Sequence, residues 1–133
     1  MTTKIIYNGQ LRTSATHLRS NNTIINDAPV DNHGKGEAFS PTDMIATALG
    51  TCILTIMGIA AQKNDINIEG ARADVTKVMA SDPRRIAKIE AIINMPQRNY
   101  SDKEKRILEQ TLDNCPVCQS LHPDMQQDIQ IIW

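Results

Sequence analysis

Residues 40–63 read SPTDMIATALGTCILTIMGIAAQK, and the architecture turns on this stretch. Ser40 suits a helix N-cap, Pro41 fits the first helical position, and Asp43, three residues after the cap, approximates a capping box. A helix is expected from there to about Gln62 or Lys63, ahead of Asn64-Asp65-Ile66-Asn67. Residues 44–61 are eighteen positions without a formal charge, which reaches the lower threshold for a membrane span. Against insertion stand Thr47, Gly50, Thr51, Cys52, Thr55 and Gly58, with few large aliphatics before Ile53. No basic cluster lies close outside either end to set an orientation. A soluble core helix, enclosed by protein on nearly all sides, accounts for the pattern better. Its small residues (Ala46, Thr47, Ala48, Gly50, Thr51, Cys52) permit another backbone to approach closely. One small sheet gives such a helix too little cover, and self-association is one remedy.

Upstream, residues 3–8, 10–18 and 22–27 read as short strands, punctuated by Asn8-Gly9 and Ser20-Asn21-Asn22. Residues 28–40 form a loop with two glycines and a proline. Downstream, Ala71, Ala73, Val75 and Met79 share one face of a strand, opposite Arg72, Asp74 and Thr76. Ala87, Ile89, Ala91, Ile93 and Met95 line one face of the next, opposite Lys88, Glu90 and Asn94. Ser81-Asp82-Pro83 supplies the turn of an antiparallel hairpin with one wet face. A second helix starts at Ser101, where Ser101 and Glu104 have capping-box spacing. Leu108, Leu112 and Cys115 fall on one face of it, and Pro116 interrupts its continuation. Residues 128–133 close the chain as a strand. The order β-β-β-α-β-β-α-β is an α+β pattern around one buried central helix.

At 133 residues the chain is expected to be one domain, residues 1–133, because half of it would be too small to stabilise itself. Apolar residues at 41% suffice for a core and exclude wholesale disorder. Fourteen basic against fifteen acidic side chains leave a net charge of -1, no general field for nucleic acid or a membrane surface. The four aromatics, Tyr7, Phe39, Tyr100 and Trp133, are too few for a base-stacking platform. The first residues lack the uninterrupted apolar run of a signal peptide. Three cysteines is an odd count in a chain large enough to need no staples, so a reducing cytoplasm is the expected location.

Cys52 lies midway along the most apolar helix, and Cys115 ends the apolar face of the second. Each alone reads as a small buried hydrophobe. Two inward cysteines could meet, and a meeting pair can cycle between dithiol and disulfide. Peroxide reduction suits such a pair. A thiolate attacks the O–O bond, an alcohol leaves, and the sulfenic acid condenses with the second thiol. An apolar pocket would favour an organic hydroperoxide. Burial raises a thiol pKa, so the chemistry also needs a cation. Cys52 lies too deep in its helix for the helix N-terminus to help, which leaves Arg12 or Arg19 from the N-terminal strands.

The glycine-bearing loop, Ser40-Pro41, the helix carrying Cys52 with Thr55 three on, and Asn114-Cys115-Pro116-Val117 together resemble the OsmC/Ohr family, the osmotically inducible and organic hydroperoxide resistance proteins. The resemblance spans essentially the whole chain. It implies an OsmC-like α+β fold, an intertwined homodimer with central helices wrapped by sheets, and two sites at the dimer interface. It implies thiol-dependent peroxidase activity on organic hydroperoxides, with Cys52 peroxidatic and Cys115 resolving. In the best-studied branch of the family, reduced lipoylated protein regenerates the pair. Thr42 stands where organic hydroperoxide resistance proteins carry a glutamate after the helix-opening proline, with Asp43 next and Glu37 in the preceding loop. Arg12 does not occupy the glycine-rich turn that carries their arginine. The chain therefore resembles the broader OsmC-like group. Arg12 is the first choice for stabilising the Cys52 thiolate, with Glu37 or Asp43 to orient it.

Two other readings compete. A small-ligand binder could use the same apolar interface pocket with its cysteines merely buried. Alternatively, Cys115-Pro116-Val117-Cys118 with His122 offers three zinc ligands, but the fourth is missing. A thioredoxin-like CxxC precedes a helix after a strand, whereas this one follows a helix, so Cys118 is a neighbour of the working pair or a bystander. No cofactor and no metal is expected. The expected partners are a second copy, the hydroperoxide and a thiol reductant; neither nucleic acid nor a membrane is among them.

Overall fold

In the computed structural model, which describes Met1–Trp133, the residues around Ser40 act as caps. The Ser40 Oγ accepts from the Asp43 backbone N–H at 3.1 Å, and the Asp43 carboxylate accepts from the Ser40 N–H at 2.8 Å. Two otherwise unpaired donors are satisfied reciprocally, with aspartate in the place of the usual glutamate. Helix α1 follows, Pro41–Lys63. Its threonines turn their hydroxyls back onto the helix: Thr51 donates to the Thr47 carbonyl at 3.0 Å and Thr55 to the Thr51 carbonyl at 2.7 Å. By length and a mean hydropathy of 2.0 the helix could cross a membrane. Its buried residues instead form one stripe, Ala46, Leu49, Gly50, Ile53, Met57 and Ala61, while Thr51, Thr55 and Ile59 are exposed. Cover on nearly all sides is thus absent from the single chain. A three-stranded sheet presents one face, and a helix can bury only one stripe against it.

The chain forms two compact units, Met1–Ile45 and Ala46–Trp133. In the first, β1 (Thr3–Gly9), β2 (Arg12–His17) and β3 (Thr23–Asp27) make an antiparallel sheet in that order. A bulge at Tyr7/Gly9 re-aims the β1–β2 turn, and Gly9 takes a left-handed φ of 83° there. The loop after β3 contains a 3₁₀ turn, Val30–Asn32. The buried residues of this unit are Asn26, Asp27 and Ser40, all polar. Its large apolar side chains lie outside: the register puts Ile5, Tyr7 and Ile24 on one sheet face and Ile6 and Ile25 on the other, and all are exposed.

The second unit has an ordinary apolar core. Strands β4 (Arg72–Ser81) and β5 (Arg84–Asn94) form the expected hairpin, and β6 (Gln126–Ile132) joins β5 in parallel, giving the order β4-β5-β6. The β4 face containing Ala73 and Val75 is half-buried, alternating with exposed Arg72, Asp74 and Thr76. In β5, Ile86, Ile89, Ala91 and Ile93 are buried. Ile86 replaces the expected Ala87 because the register slips beside Val78/Met79, and one extra residue exchanges the two faces. Gly50 of α1 allows the helix to lie close on this sheet, since a Cβ there would stand 2.7 Å from Val75 Cγ2.

Helix α2, Asp102–Glu109, starts with the Ser101–Glu104 capping box predicted for it. The chain then tightens into a 3₁₀ segment, Gln110–Asn114, and Cys115 caps a further short helix α3, Pro116–Ser120. Pro116 therefore opens a helix as well as ending one, because its missing N–H costs nothing at the first helical position. Leu108 and Cys115 are fully buried and Leu112 half-buried, so the apolar face survives the change of helix type. Trp133 packs edge-on to Tyr100 at 5.4 Å, with the Lys105 ammonium 5.5 Å from the indole centroid.

Candidate active site

Cys115 owes its position to the break between helices. As N-cap of α3 its sulfur faces the opening turn and accepts the Cys118 backbone N–H at 3.4 Å. Its side chain lies within the core beside the buried stripe of α1. Cys52 of α1 and Cys118 of α3 lie near enough to Cys115 for each to influence its ionisation. Three free thiols thus lie in one region of the second unit, Cys115 fully buried and Cys52 and Cys118 partly exposed.

The electrostatics of the three differ. Burial, the largest influence on Cys115, pushes its thiol up. Hydrogen bonds from the Cys118 N–H, the Cys118 and Cys52 thiols and the Val117 N–H outweigh it, and Cys115 lies below the ordinary thiol value. Cys52 lies above it, raised by burial and by its bond to Cys115 against the pull of the Val117 N–H. Cys118 is pushed up to about 12 by burial, its bond to Cys115, and the charges of Cys115 and Cys52. Beyond Cys52, a cleft of about 270 Å³ begins one turn on at Ile56 and is lined by Ile59, Ala60, Lys63, Thr111 and Asn114.

The first unit builds a separate charged constellation. Arg12 and Asp27 are direct cross-strand partners in the β2–β3 register. Arg12 donates from Nε to Asp27 Oδ1 at 2.6 Å and from Nη2 to Asp27 Oδ2 at 2.7 Å, a bidentate fork, and from Nη2 to Glu37 Oε2 at 2.7 Å. The Glu37 backbone N–H returns to Asp27 Oδ2 at 3.1 Å and ties the loop to the strand. The Arg12 bonds, the largest influence, hold the Asp27 carboxyl below its ordinary value. The same carboxylates hold the Arg12 guanidinium above its own.

Cys52 and Cys115 therefore lie in the same core, and Arg12 meets Glu37. Asp43, the other carboxylate considered for Arg12, caps α1. Arg19 is exposed beyond the end of β2. His122 Nδ1 accepts the Asp124 N–H at 3.2 Å, and no three His, Cys, Asp or Glu side chains are disposed to hold a metal, so the zinc arrangement does not form. Asp27, which sequence reading missed, is the residue that grips Arg12 most fully. Only the strand register could have disclosed it.

The family model described as OsmC-like protein matches residues 34–130. A crystal structure from Psychrobacter arcticus 273-4, provisionally described as an osmotic stress induced and detoxification response protein, is 53% identical with a TM-score of 0.94, over 99% of this chain and 96% of that one. The organic hydroperoxide resistance protein OsmC of Legionella pneumophila superposes with a TM-score of 0.78 at 12% identity, over 100% of this chain and 98% of that one. OhrB of Bacillus subtilis, an organic hydroperoxide resistance protein, gives 0.67 at 12% identity, over 99% and 98%. At such identities the last two share the fold. Comparison with curated proteins finds no match.

Proposed function

Because this chain belongs to the OsmC-like protein family, we propose that it is a thiol-dependent peroxidase that reduces organic hydroperoxides to alcohols. The observation that carries the reading is the placing of Cys52 and Cys115 on one apolar core, near enough for each to influence the other's ionisation. Acidity and access favour different sulfurs. Cys115 ionises more readily but is fully buried, whereas Cys52 is partly exposed and can be reached by a peroxide. Attack is therefore assigned to Cys52, with a cation needed to draw the shared charge onto its sulfur. Arg12 is the guanidinium assigned to that task, from its own chain or from a second copy's, with Glu37 and Asp27 orienting it.

The Cys52 thiolate attacks the terminal peroxide oxygen, the O–O bond breaks, and the alkoxide takes a proton and departs as the alcohol. The Cys115 thiolate then attacks the Cys52 sulfenic sulfur, expels hydroxide that leaves as water, and forms the disulfide. An external dithiol restores both thiols. Lipoylated protein is one candidate for it, and the reducing cytoplasm is the setting assigned to the cycle. The apolar cleft at Ile56 suits the organic part of the substrate. A homodimer completes the reading, since Ile5, Ile6, Tyr7, Ile24 and Ile25 are left exposed and a second copy would cover them.

Consumption of cumene hydroperoxide in the presence of a dithiol tests this. Cys52→Ser should lower it about a thousandfold, to background. Cys115→Ser should allow one turnover and then inactivate as the unresolved sulfenic acid oxidises further. Full activity in Cys52→Ser would overturn the assignment.

A further inference from the structure

The peroxidase reading uses two thiols, and a third lies beside the second of them. Cys118 stands one helical turn after Cys115, with its backbone N–H on the Cys115 sulfur at 3.4 Å. Cys115 is the N-cap and Cys118 the third residue of α3, a spacing at which CxxC pairs close a disulfide across the first turn. Cys115 is fully buried, while Cys118 is partly exposed. A disulfide between Cys115 and Cys118 presents the partly exposed Cys118 sulfur to a reductant and leaves Cys52 free.

We propose that Cys118 is a third redox residue, which takes the disulfide from Cys52–Cys115 onto Cys115–Cys118 and offers it to the external dithiol. This rests on the peroxidase reading for the source of the first disulfide. The step is an internal exchange without net oxidation. The Cys118 thiolate attacks the Cys115 sulfur, the S–S bond to Cys52 breaks, and Cys52 leaves as a thiolate. The proton that Cys118 gives up is balanced by the one Cys52 then holds or shares. An external dithiol next opens Cys115–Cys118, and its own disulfide carries away the two electron equivalents.

The three-thiol arrangement also orders the events. In the dithiol state burial, the largest influence, and then Cys115 raise the Cys118 thiol. Formation of the Cys52–Cys115 disulfide removes the influence of those two thiols, and burial alone then opposes ionisation of Cys118. Cys52 is freed at the end of the exchange, before the reductant arrives.

Trypsin separates the outcomes, because Cys52 falls in the peptide 36–63 and both Cys115 and Cys118 in 107–133. Wild-type protein and Cys118→Ser should each receive one equivalent of cumene hydroperoxide, with alkylation at successive times and mapping of the peptides. The wild type should first show 36–63 linked to 107–133. That species should then give way to a 107–133 peptide two hydrogens lighter, with Cys52 alkylated. Cys118→Ser should stop at the cross-linked pair, and its turnover with a lipoyl dithiol should fall about tenfold or more, because Cys52 then stays locked in the disulfide until the reductant arrives. A wild-type cross-link as persistent as that of Cys118→Ser, with equal turnover, overturns the relay and leaves the peroxidase intact. If hydroperoxide leaves every thiol free, the peroxidase reading fails, and diamide oxidation then decides the exchange separately. The internal 107–133 disulfide supports it, and any other product overturns it.

Discussion

The two units of this chain bury opposite kinds of residue. Ala46–Trp133 encloses Leu49, Ile53, Met57, Ile89, Ile93 and Leu108, and into that apolar core it sets a sulfur. Met1–Ile45 buries Asp27, Asn26 and Ser40, the first of them paired with the Arg12 guanidinium, and it leaves Ile5 at 67% exposure and Phe39 at 56%. Apolar burial is what stabilises a small fold, and forty-five residues with a polar centre cannot supply enough of it. What the first unit has is specificity: every buried polar side-chain atom is paired, and the bidentate geometry admits one arrangement of Arg12. The second unit carries the apolar core and the thiols; the first carries an ion-paired guanidinium and exposed apolar surface.

Truncating one isoleucine in each unit puts the strongest pressure on this contrast. Ile53→Ala should destabilise by about 2–5 kcal/mol, because it opens a cavity in a packed core. Ile5→Ala should cost less than about 0.5 kcal/mol if that face meets only water. Denaturant unfolding at several protein concentrations, followed by Trp133, separates the cases. A cost for Ile5→Ala comparable with that of Ile53→Ala, together with a concentration-dependent midpoint, would mean that a second copy covers the first unit.

A smaller effect probes how closely α1 lies on the second sheet. Gly50→Val should cost about 1–3 kcal/mol, since even its Cβ collides with Val75 Cγ2. Gly58→Ala, on the same helix with nothing within 4 Å of the added carbon, should be neutral or slightly stabilising. Equal losses at the two glycines would show that helix propensity matters here and close approach does not.

The mildest test addresses the polar centre. Arg12 holds the folded Asp27 pKa below its ordinary 3.8. A depressed carboxyl pKa contributes stability that is fully present above the unfolded value and is lost as pH falls through the folded one. The stability difference between wild type and Asp27→Asn should therefore be constant near neutrality and shrink as pH falls below the ordinary carboxyl value of 3.8 and through the lower folded one. A difference that persists unchanged into acid would mean that packing, and not the ion pair, is what the aspartate provides.

Much of this was legible in the chain. The α1 cap, the Ser101 capping box, the β4–β5 alternation and the three N-terminal strands follow from local chemistry, and each forms within a residue or two of where it is expected. Cys52 and Cys115 could be picked out because each ends or interrupts an apolar helical face. Ile86 could not, because a bulge is a property of two paired strands and leaves no mark on either alone. Cys118 was set aside because its CxxC follows a helix; only the path of the chain shows that the same CxxC also opens another.

The sequence by itself determined which segments are helices and strands, that the chain is α+β, and that two cysteines face inward, since periodicity and capping act within a few residues. Tertiary structure alone decided that Asp27 lies opposite Arg12, that three thiols converge on Cys115, and that α1 buries a single stripe. Contacts between residues far apart in the chain depend on register and on the direction of each turn. A shift of one residue in a strand exchanges its faces, and no local pattern of apolar and polar residues carries that information.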